Sequence, residues 1–176
     1  MAPAPAVVAE LNAQIAREFA AGQQYLAVAV WLDDRTFPRL SAFFYAQADE
    51  ERGHALMMTR YLLDQDVLPE VPGVAEPKRD FTDLAEPVRV ALEQERKVTA
   101  QITSLARLAH EEGDLVSEQF MQWFLKEQVE EEATMSSLLD VVERSLERPM
   151  DIEDFLVREG FGGEGEDPSA PPLAGA

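Results

Sequence analysis

A chain of 176 residues, 46% hydrophobic and without cysteine, is long enough for one domain with a sizeable core. It has no thiols for disulfides, zinc ribbons or iron–sulfur clusters. Its formal charge of −19 (34 Asp and Glu against 15 Lys and Arg) repels nucleic acid and anionic membranes and draws cations toward acidic concavities.

Ala, Leu, Glu, Gln and Arg dominate, and no segment alternates with period two, so an all-α fold is expected. No apolar run approaches a membrane span. Met1-Ala2-Pro3-Ala4-Pro5 lacks the basic start and apolar stretch of a secretion signal, so the cytoplasm is the expected compartment.

The first helix is expected over about 6–33, with a seam at 3/4 spacing of Val8, Leu11, Ile15, Glu18, Gly22, Tyr25, Ala29 and Leu32. The second, about 38–65, starts near Pro38 and carries Leu40, Phe44, Gln47, Glu51, His54, Met58 and Tyr61. Pro69, Pro72, Gly73 and Pro77 then make an irregular connector between Gln65 and Phe81. At roughly 3.3 Å per residue it spans about 50 Å, more than the ~40 Å of a 27-residue helix, so it can cross the whole bundle. The third helix, from about 83, presents Val88, Leu92, Glu95, Thr99, Ile102 and Ala106. The fourth, about 115–147 and ended by Pro149, presents Met121, Phe124, Gln128, Glu131, Met135, Leu138 and Val142. Residues 151–159 are expected to form a short fifth helix packed on the bundle or on another subunit. Residues 160–176, rich in Gly, Pro and Ala, read as a disordered tail, leaving 1–159 as the folded domain.

Each of the four long seams is interrupted near its middle by a glutamate. A buried ionised carboxylate costs several kcal/mol, and four together repel one another. No lysine or arginine lies on these seams to neutralise them, whereas two divalent cations balance four carboxylates. Register supports convergence. The midpoint of Glu18 and Glu51 falls in the polar break Asp33-Asp34-Arg35, and that of Glu95 and Glu131 on Gly113, a candidate C′ glycine. A dinuclear metal site in a four-helix bundle is the expectation.

Glu51 and His54 form a Glu-x-x-His pair on one helical face, a geometry used by carboxylate-bridged di-iron and di-manganese bundles. Oxygen ligands with one imidazole suit iron, manganese or zinc better than Cu(I). The expected set is asymmetric: Glu18, Glu51 and His54 around one ion, and Glu51, Glu95 and Glu131 around a weaker one. Glu50, Glu127 and Glu130 flank it, either as a looser third position or as a solvated acidic face. Tyr25 is placed to hydrogen-bond a ligand or to supply an electron, or simply to satisfy its hydroxyl at a core edge. Trp123 reads as packing and His110 as a surface histidine.

The stretch Asp49-Glu50-Glu51-Arg52-Gly53-His54-Ala55 resembles the second-helix motif of the ferritins. So do Glu18 with Tyr25, Glu95 before Arg96-Lys97-Val98, and Glu127-Gln128-Val129-Glu130-Glu131, across about residues 6–158. The resemblance is to a non-haem bacterial-type ferritin. It implies a ferritin-like four-helix bundle with one long crossover and a short C-terminal helix, a shell of twenty-four subunits, and oxidation of Fe(II) by dioxygen or peroxide before mineral deposition. It further implies Glu18, Glu51 and His54 as first-iron ligands and Glu51, Glu95 and Glu131 as second-iron ligands. Glu50, Glu127 and Glu130 become third-iron ligands, Gln128 a neighbour of the dioxygen site, and Tyr25 the site tyrosine. Glu118 resembles an acidic residue of the threefold iron channel, although Met121 stands where many animal ferritins carry a second acidic residue. Arg52 occupies the position of the haem-ligating methionine of bacterioferritins, so haem is not expected. The competing classes are a soluble di-iron or di-manganese oxidase or peroxidase acting on another substrate, and a helical assembly subunit with a vestigial site.

Overall fold

The computed structural model describes residues 3–160 and 167–175. Five helices account for nearly all regular structure among them: α1 (Pro5–Asp34), α2 (Pro38–Asp64), α3 (Ala85–Glu111), α4 (Leu115–Arg144) and α5 (Met150–Glu159). The all-α fold class, the long crossover and the short fifth helix are all present. Proline sits in the first turns of α1 and α2, where the missing N–H has no intrahelical partner to lose.

The α1–α2 turn is closed by Thr36 in the left-handed region, φ 63°. Between α3 and α4 the expected glycine stop is observed. Gly113 has φ 68°; its N–H donates to the His110 carbonyl at 3.0 Å, and that of Asp114 to Ala109 at 2.8 Å. This double bond pattern satisfies the last carbonyls of α3. Asp114 then caps α4, its carboxylate accepting from the Ser117 N–H and hydroxyl at 3.1 and 2.7 Å.

The connector runs back along α1. The Glu70 N–H donates to Asn12 Oδ1 at 2.8 Å, the Lys78 N–H to Gln24 Oε1 at 2.9 Å, and Phe81 meets Trp31 edge-on at 5.4 Å. It therefore climbs from the level where α2 ends to the level where α1 ends, and α3 starts beside the start of α2. Consequently α2 and α3 run parallel, each antiparallel to its hairpin partner.

Several boundaries differ from the sequence expectation. Val7 rather than Val8 opens the buried seam of α1, and Leu62 rather than the half-buried Tyr61 closes that of α2. Helix α3 begins at Ala85, which places Pro87 in its first turn. Helix α4 stops at Arg144 rather than about 147, since Pro149 would clash with the Ser145 carbonyl in a continued helix.

The apolar core is in two parts. One contains Tyr25, Leu32, Phe44, Leu92, Met135 and Ile152; the other contains Leu11, Ile15, Met58, Ile102, Met121 and Phe124. The layer between them is polar. Helix α5 covers the first part with Ile152 and Leu156, and its buried Glu153 reaches the start of α2. There its two carboxylate oxygens accept from the Arg39 and Leu40 N–H groups at 2.8 and 3.0 Å.

Candidate metal centre

The polar layer is where the four helices bring their interrupting residues together. Among the described residues the buried acidic and histidine side chains are Glu18, Glu51, His54, Glu95, Glu127, Glu131 and Glu153, with no buried lysine or arginine. Only Glu153 sits apart, at the α2 terminus.

Helices α1 and α2 approach closely at this level because Gly22 has no side chain. A Cβ there would lie 3.0 Å from the Ala48 carbonyl oxygen and 3.5 Å from the Glu51 Cβ. Glu18 and Glu51, 1% exposed each, thereby face one another across the hairpin. One turn on, His54 Nδ1 stands 3.4 Å from Glu51 Oε2, while its ring is wedged edge-on against Trp123 and Phe124, each at 5.7 Å. Ligand atoms of Glu18, Glu51 and His54 lie within 4.8 Å of one another. Glu18 Oε2, Glu51 Oε2 and His54 Nε2 are buried without a hydrogen-bond partner, a costly arrangement for a core that holds nothing else.

Glu95 on α3 completes the layer with Tyr25, Gln128 and Glu131. The Tyr25 hydroxyl donates a short hydrogen bond to Glu95 Oε1, and Gln128 Nε2 donates to Glu95 Oε2 at 3.4 Å. Gln128 Oε1 accepts from the Thr99 hydroxyl at 3.0 Å, a proton shared with the Glu95 carbonyl at the same distance.

Electrostatics follow from this crowding. Burial first, then the charges of Glu95 and Glu18, hold the Glu51 carboxyl well above the ordinary carboxylate range. Burial also raises Glu95, partly offset by the Tyr25 hydrogen bond. Burial and the nearby Glu95 and Glu51 charges push the Tyr25 phenol well above its usual value, so it keeps its proton as a donor.

A second group, Glu50, His54 and Glu127, also has ligand atoms within 4.8 Å, with His54 common to both. The third flanking residue is not gathered. Glu130 is exposed on α4, with Oε1 3.8 Å from Lys126 Nζ. It adjoins Glu131 in sequence, but the 100° of helix rotation between neighbouring residues turns it outward.

Elsewhere, His110 is exposed beside Glu118, Nδ1 to Oε2 3.2 Å, and Met121 is fully buried in the core, facing no surface. Tail residues 161–166 lie outside the described residues. Residues 167–175, expected to be disordered, instead contact α2 and α4. Asp167 accepts from the Trp123 indole N–H at 3.2 Å and Lys126 Nζ at 3.1 Å, and the Ala174 N–H donates to the Leu56 carbonyl at 3.2 Å.

Two contributors escaped the sequence reading. Gln14, fully buried one turn before Glu18, donates to Glu18 Oε1 at 2.7 Å. Its i,i+4 spacing from Glu18 was a usable signal. Thr99 was legible as a seam residue but not as a donor to Gln128.

The sequence matches the profile of the ferritin-like domain over residues 8–145. It is 51% identical over 162 residues to ferritin BfrB of Mycolicibacterium smegmatis, covering 92% of this chain and 89% of that one. It is 34% identical over 134 residues to the bacterial non-heme ferritin of Staphylococcus aureus, covering 76% and 81%. The fold superposes on an open pore ferritin from the archaeon Archaeoglobus fulgidus with a TM-score of 0.84 at 27% identity, covering 92% of this chain and 99% of that one. With a buried tetrad of glutamates at the waist of a crossover bundle and these relatives on both sequence and fold, the chain belongs to the ferritin family.

Proposed function

We propose that this protein stores and detoxifies iron by oxidising Fe(II) in the carboxylate layer and passing Fe(III) to a mineral inside a shell of twenty-four subunits. The observation that carries this is the buried layer of Glu18, Glu51, Glu95 and Glu131, with no buried Lys or Arg among the described residues to balance it. Two ferrous ions supply the four missing positive charges and, when bound, one electron each to dioxygen or peroxide.

Glu18, Glu51 and His54 would hold the first ion, and Glu51, Glu95 and Glu131 the second. Having only oxygen donors and the Tyr25 and Gln128 hydrogen bonds on Glu95, the second position is the weaker one. Tyr25 and Gln128 keep Glu95 oriented, and Tyr25 is placed to act as a local electron donor. Glu50, His54 and Glu127 provide a third, looser position on the way out. Glu130, turned toward Lys126, serves there only after that contact opens.

Adding Fe(II) to the metal-free protein in air, with ferric absorbance followed in time, tests the reading. Wild type should show a rapid phase of about two irons per chain, and Glu51→Ala should lose it. Equal rates in the two proteins refute the site. Twenty-four chains of 19.6 kDa make a particle of about 470 kDa. A small oligomer by light scattering refutes the shell and favours an oxidase of another substrate.

A further inference from the structure

Glu18 is held by groups that the iron ligation does not use. Gln14 Nε2 donates to Glu18 Oε1 at 2.7 Å, and the other end of the same amide, Oε1, accepts from Arg17 Nη1 at 2.9 Å. Arg17 in turn is tied to Glu10, Nη1 to Oε1 2.6 Å. A guanidinium only donates and an ionised carboxylate only accepts, so Arg17 reinforces one orientation of the amide: oxygen toward Arg17, N–H toward Glu18. Without it the amide keeps only one of the two contacts that fix its orientation.

The consequence falls on Glu18. Its Oε1 is committed to Gln14, while its Oε2 is buried with no hydrogen-bond partner, and the residue stands in the cluster with Glu51 and His54. Gln128 is locked in the same sense, its Oε1 on Thr99 and its N–H toward Glu95. One ligand from each hairpin is thus steered by a glutamine whose own orientation is reinforced by a second residue.

We propose that Gln14, oriented by Arg17, is a positioning residue for the metal position of Glu18, Glu51 and His54. It retains Glu18 Oε1 and leaves Oε2 for the ion. This rests on the reading of that trio as a metal position. Groups that orient a ligand typically contribute ten- to a hundredfold in metal affinity.

The test uses Co(II) on the metal-free assembled protein under argon, read by calorimetry and by the visible Co(II) spectrum. Gln14→Leu, similar in size but unable to donate, should weaken the tightest Co(II) equivalent by about tenfold, or about 1.4 kcal/mol, and alter its spectrum. Arg17→Ala should shift both in the same direction by less, and Arg17→Lys, which keeps a donor for Gln14 Oε1, should restore them. Wild-type affinity and spectrum in Gln14→Leu and Arg17→Ala overturn the proposal while leaving the metal site standing. If Gln14→Leu does not assemble, the half-exposed Arg17→Ala decides alone, with an unchanged spectrum counting against the proposal. A wild type that takes up no Co(II) removes the underlying reading together with this one.

Discussion

Replacing Glu51 by glutamine should stabilise the metal-free protein, and increasingly so as pH rises. In the folded chain Glu51 is held well above its ordinary value by burial and by Glu95 and Glu18. In the unfolded chain it titrates near 4.3. Between those two values the folded state binds the proton that the unfolded state has lost, so stability falls with rising pH. The slope for one proton is about 1.4 kcal/mol per pH unit, lasting until pH reaches the raised folded value. Glutamine has no such proton, so the gap between variant and wild type should widen by that amount per unit. For a chain of this size it corresponds to about 3–6 °C in Tm per pH unit. Calorimetry of chelator-treated protein from pH 5 upward measures it. High salt is used so that repulsion among exposed charges is screened while the buried layer is not. Zinc should invert the order, because wild type gains more than Glu51→Gln from a bound cation. Parallel curves for the two proteins, or a glutamine variant less stable throughout, would show that no buried charge cluster of this kind exists.

Gly22→Ala should lower Tm despite the gain of about 1 kcal/mol in helix propensity. Its Cβ meets a backbone oxygen of α2 at 3.0 Å, and overpacking of this kind costs about 1–3 kcal/mol. Iron binding should weaken with it, since Glu18 and Glu51 are carried apart; a higher Tm with intact binding refutes this. Glu153→Ala should cost about 1–2 kcal/mol by uncapping α2, with Glu153→Gln intermediate, as read by thermal unfolding. An unchanged Tm refutes the cap. Asp167→Ala, with Trp31 changed to Phe to isolate Trp123, should red-shift Trp123 fluorescence and speed proteolysis of the tail. Ser169 first, then Lys126, hold the Asp167 carboxyl below the usual range, so wild type should show the same release only as pH falls below that range. A wild-type spectrum in the variant refutes the clasp.

What the chain alone determines is periodic. The 3/4 spacing that puts Leu11, Ile15 and Leu32 on one face also puts Glu18 there, and matched distances from the Asp33-Asp34-Arg35 break and from Gly113 level the two glutamates of each hairpin. Those relations follow from a helix's fixed pitch and from turn residues such as Gly113, both local properties. Glu130 shows the limit of such reasoning: its flanking position and the family resemblance put it near the ligands, while its side chain lies 3.8 Å from Lys126 Nζ. Tertiary structure alone decides which partners meet across elements. Glu153 capping a helix more than a hundred residues earlier and Asp167 clasping Trp123 depend on side-chain reach and on the path of the chain between helices. No local pattern encodes them, because hydrogen bonds between distant residues exist only once packing has brought donor and acceptor within about 3 Å.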